Sequence, residues 1–280
     1  MNFSAVALDL DGTLLTSQKT ITPKTLEILN ERFSAYKTPV IIASGRSLRD
    51  VCQIPEIQQL KADFFICNNG CQVFDAAFNE IYAAYLNGAD GLIAALIKKN
   101  YLFKLFTADQ DYYHLPADYE QKLLDIAKLT AKDSVEDEAA IYKKILLNQS
   151  TPFSGGARDL SKLLKISIFT DGGGLNSLDY NGLDEFSVVL TYLTNIEITA
   201  KNTSKWTALE AIFNRLNIDK KTALAFGDEL NDLEMLKNVG YGVAMANANP
   251  ALKEQIKQRA LSNDEDGVYH ALCEFLSKEG

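Results

Sequence analysis

The chain has few of the residues on which zinc sites and disulfide frameworks depend. Its 280 residues include only 2 histidines and 4 cysteines. These are His114, His270, Cys52, Cys67, Cys71 and Cys273. Because neither histidine belongs to a spaced pair, the Cys-Asn-Asn-Gly-Cys segment has no further zinc ligands, and we expect only a strand end and a turn there. Four cysteines in a chain this long do not indicate a disulfide framework.

The sequence also lacks the features of membrane, secreted and nucleic-acid-binding proteins. No stretch approaches the ~20 apolar residues that cross a bilayer. No basic residue precedes Asp9, so we expect no signal peptide and a cytoplasmic protein. The formal net charge of -9 makes the surface repel phosphate backbones and anionic lipid, and neither is an expected partner. No obligate protein partner is evident.

Short apolar runs alternate with amphipathic stretches in the first third of the chain. The runs at 6–8, 39–43 and 63–67 are typical of buried strands. Thr22 followed by Pro23 predicts a helix start, because proline at the first helical position wastes no donor. This alternation predicts an α/β fold with a doubly wound parallel sheet, Rossmann-like, and helices on both faces.

The middle of the chain has a different pattern. Residues 101–107 and 165–170 are strand-like, with helical stretches between them, and the alternation of strand and helix resumes only after about residue 190 with Ile196-Glu197-Ile198. The sequence therefore predicts a core formed by residues 1–82 and 190–280. Residues 83–189 are predicted to form a smaller inserted α+β domain.

The segment Asp9-Leu10-Asp11-Gly12-Thr13 follows the first predicted strand. Two carboxylates two residues apart at a sharp turn can both point into the crevice at the carboxyl edge of the sheet, where open α/β sheets bind ligands. The segment is not an EF-hand loop, because Gly12 falls at the fourth loop position and Thr20 stands in place of the final glutamate. An ordinary Asp-Gly turn that closes a strand is the structural alternative.

A second acidic segment, Gly227-Asp228-Glu229-Leu230-Asn231-Asp232, follows another apolar strand. Its alternative interpretation is a helix start, because Asn231 to Glu234 resembles a capping box and acids favour a helix N-terminus.

One further segment and one further residue are informative because of their positions in the predicted fold. Ser44-Gly45-Arg46 lies between a strand end and a helix start, where backbone N–H groups and a hydroxyl can bind an anion. Thr203 or Ser204 is expected to cap the next helix, which places Lys205 in its first turn against the helix dipole. A cation in that unfavourable position points to a functional role only because an anion site is already expected nearby.

This combination resembles the haloacid dehalogenase superfamily of phosphohydrolases. Asp9 to Thr13 is similar to its first motif, Ser44 to the second, Lys205 to the third, and the segment 227–232 to the fourth. Asn69-Gly70, 242–248 and 263–268 resemble the Cof-type branch (class IIB), which carries a large cap between the second and third motifs. Two departures are Ser44, where threonine is usual, and Trp206, where glycine is common.

The resemblance implies a magnesium-dependent phosphomonoesterase acting on a small phosphorylated metabolite such as a sugar phosphate, pyridoxal phosphate or flavin mononucleotide. The implied catalytic residues are Asp9 as nucleophile, Asp11 as acid and base, and Lys205. The implied phosphate-binding residues are Leu10, Gly12, Ser44, Gly45, Arg46 and Asn231. The implied Mg²⁺ ligands are Asp9, Asp11 through its carbonyl and Asp228. Asp232 is implied either as a further ligand or as a neighbour of these ligands.

Two alternatives stay open at this point. A phosphomutase or phosphotransferase on the same scaffold would return the phosphate to a hydroxyl of its substrate and exclude water. A phospho-acceptor signalling switch also uses a strand-end aspartate, magnesium and a lysine, but it lacks a second acid like Asp11 and needs no inserted domain.

Overall fold

The computed structural model of the protein describes residues 3–33, 37–131, 134–153, 159–172, 178, 180–191 and 194–277. Its strands are β1 (Val6–Leu8), β2 (Val40–Ala43), β3 (Phe64–Cys67), β4 (Gln72–Asp75), β5 (Glu80–Ala83), β6 (Leu102–Thr107), β7 (Asp111–His114), β8 (Ser150–Pro152), β9 (Leu163–Phe169), β10 (Phe186–Thr191), β11 (Asn195–Ala200), β12 (Leu224–Gly227), β13 (Tyr241–Ala244) and β14 (Gln258–Arg259). Its α-helices are α1 (Pro23–Ile28), α2 (Leu48–Val51), α3 (Asp90–Lys98), α4 (Tyr119–Thr130), α5 (Val135–Leu147), α6 (Lys205–Leu216), α7 (Leu233–Asn238), α8 (Pro250–Gln255) and α9 (Gly267–Ser277). Among these described segments, no helix is both long enough and apolar enough to cross a membrane.

The chain divides into two units. The first comprises residues 1–83 and 203–280, and the second comprises residues 84–202. The return to the first unit lies later than the predicted residue 190. The reason is that β11, which contains Ile196–Ile198, pairs antiparallel with β9 and with β10 in the sheet of the second unit. Its apolar alternation alone could not indicate which sheet it joins.

The first unit is built on an eight-stranded sheet in the order β14-β13-β12-β1-β2-β3-β4-β5. The pairs from β14 to β3 are parallel, so the predicted doubly wound α/β fold is confirmed. The chain leaves β1 toward β2 and β3 and later returns to β12 on the other side of β1. This reversal is the topological switch point, where open α/β sheets bind ligands. The antiparallel pairs β3–β4 and β4–β5 extend the sheet beyond the predicted strands.

The central strands are buried on both faces. Every residue of β1, β2 and β12 is buried, which explains why they read as continuous apolar runs in the sequence. The helix stripe of Leu209, Ile212 and Phe213 on α6 packs into the same core. The predicted start of α1 is confirmed, because Thr22 caps it and Pro23 is its first residue.

The second unit has a six-stranded sheet in the order β10-β11-β9-β6-β7-β8. All its pairs are antiparallel except β7–β8. Adjacent residues of β6 point to opposite faces, so Phe103 packs with Leu92 and Leu96 of α3, whereas Leu102 packs with Leu123 of α4. Helices therefore cover both faces of this sheet.

Candidate active site

Two acidic segments meet at the switch point of the first sheet. In the register of β1 and β12, Leu8 is paired with Phe226. The next residue along β1 is Asp9, whose backbone N–H donates to the carbonyl of Phe226 at 3.1 Å. Asp228 follows β12 directly. Strand pairing alone therefore brings together two aspartates that are more than 200 positions apart in the sequence.

Three buried carboxylates form what we call the acid cluster: Asp9, Asp228 and Asp232. One oxygen from each lies within 4.8 Å of the others. Their residues are 5%, 7% and 0% exposed. Within the described part of the chain, this is the single group of three or more side chains with the spacing of a metal site.

A tight turn holds Asp232 in this cluster. Its Oδ2 accepts hydrogen bonds from the backbone N–H groups of Asp228 at 3.0 Å and Glu229 at 3.1 Å. The capping contact that forms here therefore joins Glu229 and Asp232. It replaces the capping box from Asn231 to Glu234 that was the alternative interpretation of this segment. The turn thus points one carboxylate oxygen at the backbone and leaves the other for Lys205.

Lys205 bridges two members of the acid cluster, Asp9 and Asp232. It is the first residue of α6, which Ser204 caps through a hydrogen bond from Thr207 N–H, as predicted. Its ammonium nitrogen donates to Asp9 Oδ1 at 2.6 Å and to Asp232 Oδ1 at 2.7 Å. Two charge-assisted hydrogen bonds compensate for burial and for the opposing helix dipole.

The charge of the acid cluster is not balanced by Lys205 alone. Burial, together with the neighbouring carboxylates, raises the pKa of Asp9 to about 7 in spite of Lys205. Burial and the same neighbours raise the pKa of Asp228 to about 9. Burial lowers the pKa of Lys205, but Asp232 and Asp9 outweigh it, and the net shift is upward. When all three carboxylates are ionised, the single ammonium of Lys205 leaves an excess of two negative charges. Ionised oxygen donors with such an excess are what a hard divalent cation prefers.

The carboxylate of Asp11 lies outside the acid cluster, in a cationic environment. Arg46 holds it with two hydrogen bonds, from Nε to Oδ2 at 2.6 Å and from its terminal nitrogen to Oδ1 at 2.7 Å, and Lys19 adds a third at 2.7 Å. Burial raises the pKa of Asp11, but the hydrogen bonds and charges of Arg46 and Lys19 outweigh burial and lower it to about 2. Asp11 is therefore ionised in this arrangement, whereas the predicted acid role needs its proton.

The turn after β1 fits closely against the acid cluster. Gly12 has a φ of +78°, and a Cβ at this position would overlap Asp228 Oδ2, so only glycine fits. Thr13 donates from its hydroxyl to Asp228 Oδ1 at 3.4 Å, and Asn247 donates to the carbonyl of Gly12 at 2.8 Å. The side chain of Leu10 is buried in the apolar core. Any phosphate contact of Leu10 would therefore have to come from its backbone.

Asn69 connects the loop of Ser44, the second motif, with the fourth motif at 227–232. Ser44 is buried, and its hydroxyl oxygen accepts a hydrogen bond from Arg46 N–H at 3.1 Å. Asn231 donates from Nδ2 to Oδ1 of Asn69 at 3.0 Å, and a Cβ at Gly45 would lie 3.1 Å from the same oxygen. The loop of Ser44 and the side chain of Asn231 therefore converge on Asn69.

Three contributing residues had no assigned role in the sequence interpretation. Asn69 and Asn247 were noted only because their segments resemble the Cof-type branch, and Lys19 was not identified. The available signal for Asn69 was an Asn-Asn-Gly turn directly after an apolar strand. Lys19 and Asn247 gave no local signal, because each acts on the turn after β1 from another loop.

Comparisons with known proteins identify the family of the chain. The family described as haloacid dehalogenase-like hydrolase matches residues 6–272. Phosphatase YwpJ of Bacillus subtilis is 27% identical, over 97% of this chain and 99% of that protein. The 5-amino-6-(5-phospho-D-ribitylamino)uracil phosphatase YwtE of the same organism is 28% identical, over 97% of this chain and 98% of that protein.

A solved structure supports the fold independently. A haloacid dehalogenase-like hydrolase from B. subtilis superposes with a TM-score of 0.76 at 24% identity, covering 95% of this chain and 98% of that one. The family match spans nearly the whole chain and includes all four motif segments. The chain therefore belongs to the haloacid dehalogenase-like hydrolases, and the phosphatase-type hydrolase predicted from its motifs is confirmed.

Proposed function

We propose that the protein is a magnesium-dependent phosphomonoesterase that forms an aspartyl phosphate on Asp9. The observation that carries the proposal is the acid cluster with Lys205 bridging Asp9 and Asp232. A carboxylate that attacks a phosphate dianion meets strong charge repulsion, so the site has to supply positive charge. Lys205 supplies one such charge at 2.6 Å from Asp9, and the excess negative charge of the cluster supports a bound cation as the other.

Mg²⁺ would be held by the carboxylates of Asp9 and Asp228 and by the backbone carbonyl of Asp11. Asp232 accepts hydrogen bonds from two backbone N–H groups and from Lys205, and it would hold these ligands in position. When bound, the ion supplies charge neutralisation for the carboxylates and the phosphoryl oxygens. Oxygen ligands without histidine or thiolate favour magnesium over zinc.

In the first chemical step, a carboxylate oxygen of Asp9 would form a bond to phosphorus, and the bond between phosphorus and the ester oxygen would break. Lys205 hydrogen-bonds Oδ1, so Oδ2 is the proposed nucleophile. Asp11 would give its proton to the leaving oxygen. In the second step, Asp11 would take a proton from water, the water oxygen would bond to phosphorus, and the carboxylate of Asp9 would be released.

Asp11 can act as an acid in this reaction only if its ion pairs with Arg46 and Lys19 change. With Arg46 and Lys19 in contact, its pKa is near 2 and it holds no proton at neutral pH. We propose that substrate binding draws Arg46 toward the phosphoryl group, which frees Asp11 to take up a proton. Arg46 would then bind phosphate together with Ser44, Gly45 and Asn231.

The names of the relatives and the domain organisation support a substrate class. We propose that the second unit, residues 84–202, is a cap that selects small phosphorylated metabolites. Candidate substrates are sugar phosphates, pyridoxal phosphate and flavin mononucleotide. The phosphoribitylamino-uracil substrate in the name of the relative YwtE adds a candidate that carries both a polyol phosphate and a heterocycle.

A panel of these phosphomonoesters, assayed for release of inorganic phosphate, tests the proposal. We expect release with Mg²⁺, none with EDTA, and none from the Asp9→Asn variant. Transfer of the phosphate to a second hydroxyl without release would instead identify a phosphomutase. A stable aspartyl phosphate without turnover would identify a phospho-acceptor switch.

A further inference from the structure

A left-handed turn follows β3 beside the candidate site. Asn68, Asn69 and Gly70 have φ values of 51°, 57° and 97° in succession. Left-handed backbone is unfavourable for residues with a Cβ, and consecutive instances persist only where the surrounding structure enforces them. Asn68 and Asn69 are both buried, at 1% and 5% exposure, so this strained turn lies within the packed interior.

The backbone of the turn is tied to two motif segments. The N–H of Asn68 donates to the carbonyl of Arg46 at 2.8 Å, and the N–H of Asn69 donates to the carbonyl of Ser44 at 3.0 Å. A Cβ at Gly70 would overlap the carbonyl oxygen of Ser204, the residue that caps the helix of Lys205. The left-handed conformation therefore fixes the separation between the Ser44 loop and the start of α6.

The side chain of Asn69 extends this connection to the fourth motif. Its Oδ1 accepts the hydrogen bond from Asn231 Nδ2. Asn231 Oδ1 is buried and has no hydrogen-bond partner. An amide nitrogen has two hydrogens, so one N–H of Asn231 remains for another acceptor. Without the acceptor on Asn69, this half-buried amide would lose the contact that places its nitrogen on one side and its oxygen on the other.

We propose that Asn69 is a positioning residue that fixes the orientation of the Asn231 amide, so that its remaining N–H faces the transferred phosphoryl group. The proposal rests on the proposed function and adds a residue to it. Asn69 acts through Asn231 and does not itself touch the substrate. The strain in the turn is consistent with this role, because a relaxed turn would carry the side chain elsewhere.

Asn69→Gly tests the proposal cleanly, because glycine keeps the left-handed backbone and removes only the side chain. Asn68→Gly is the matched control, since it relieves the same backbone conformation and leaves the contact between Asn69 and Asn231 in place. We expect Asn69→Gly to lower kcat/KM about tenfold or more. Asn68→Gly should stay within about twofold of the wild type, because its side chain contacts Gln72 and not Asn231.

Orthovanadate mimics the transferred phosphoryl group. Its binding distinguishes a variant with a misoriented Asn231 from a variant that is partly unfolded. With Mg²⁺ present, calorimetry should show a Kd raised about tenfold in Asn69→Gly with the number of sites unchanged. A variant that was only partly folded would show fewer sites with the wild-type Kd, and that result would overturn the proposal.

A double-mutant cycle with Asn231→Ala tests whether Asn69 acts through Asn231. In that background, Asn69→Gly should cause no further loss of kcat/KM, because the amide to be oriented is already gone. Equal losses in both backgrounds would contradict the assignment. If the wild type neither hydrolyses phosphomonoesters nor binds orthovanadate, the proposed function itself fails, whereas an active wild type with an unaffected Asn69→Gly variant refutes only the role of Asn69.

Discussion

Replacing Asp228 by asparagine is expected to stabilise the metal-free protein while removing its response to magnesium. Asp228 is 7% exposed and lies beside two further carboxylates, so its ionised form is disfavoured and its pKa rises to about 9. The uncharged amide has nearly the shape of the protonated acid. The substitution therefore removes a group whose ionisation is costly unless a bound cation compensates for the charge.

The size of the effect follows from the proton linkage. In the unfolded chain the pKa is 3.8, so at pH 7 the folded protein holds a proton that the unfolded chain has released. The cost of keeping this proton in the folded state grows by about 1.4 kcal/mol for each pH unit above the unfolded pKa. From pH 4 to pH 7 the free energy of unfolding therefore falls by about 4 kcal/mol at most. Asp9 contributes to the raised pKa of Asp228, and its own pKa is also raised, so part of the cost remains with Asp9 after the substitution. We therefore expect Asp228→Asn to raise the free energy of unfolding by about 2–4 kcal/mol, or the Tm by roughly 4–8 °C for a chain of this size.

The sign of the pH dependence is part of the prediction. A carboxyl group whose pKa is raised in the folded state does not destabilise the fold below about pH 4, where both states are protonated. Its cost appears as the pH rises from about 4 to about 9. The Tm of Asp228→Asn should therefore match that of the wild type at pH 4 and exceed it increasingly at higher pH.

Thermal unfolding with EDTA and with Mg²⁺, across this pH range, measures both effects. Mg²⁺ should raise the Tm of the wild type and leave that of Asp228→Asn unchanged. Asp171→Asn, at an exposed aspartate of the second unit, is the control and should behave as the wild type does. A metal-free Asp228→Asn variant that is no more stable than the wild type at pH 8 would refute the electrostatic reasoning.

Three further substitutions have defined outcomes. Asp9→Asn should abolish phosphate release, by at least about 10⁴-fold, with an unchanged circular dichroism spectrum, and residual turnover near the wild-type rate would contradict the nucleophile assignment. Lys205→Met leaves Asp9 and Asp232 without their cation, so kcat should fall at least about 10²-fold and the Tm deficit should grow as the pH rises, which pH-resolved thermal unfolding measures. Gly12→Ala should abolish stabilisation by Mg²⁺ because its Cβ would overlap the acid cluster, whereas Gly88→Ala, with a similar φ of +75° and no atom within 4 Å, should retain it.

Local sequence signals predicted the parts of the molecule that depend on neighbouring residues. The apolar run at 6–8 is β1, and Thr22 and Ser204 cap the helices they precede. The two acidic segments could be placed at one sheet edge because the carboxyl ends of parallel strands coincide. Lys205 was identified because its position opposes a local preference, and its two carboxylate partners explain the exception.

Contacts between distant segments could not be predicted in the same way. The pairing of Arg46 with Asp11 sets the charge state of the proposed acid, yet neither residue indicates the other in the sequence. The buried pair of Lys165 and Glu197 in the second sheet, at 2.6 Å, likewise depends on the register of β9 with β11. Register is fixed by tertiary packing, and the alternation of residues along one strand does not reveal its partner.

The most direct test of the central claim is to trap the covalent intermediate. Quenching a steady-state reaction with borohydride reduces an aspartyl phosphate to homoserine, which peptide mass spectrometry can assign to a position. We predict homoserine at position 9, dependent on both substrate and Mg²⁺. Phosphate release without modification at position 9, or trapping at a different carboxylate, would contradict the account.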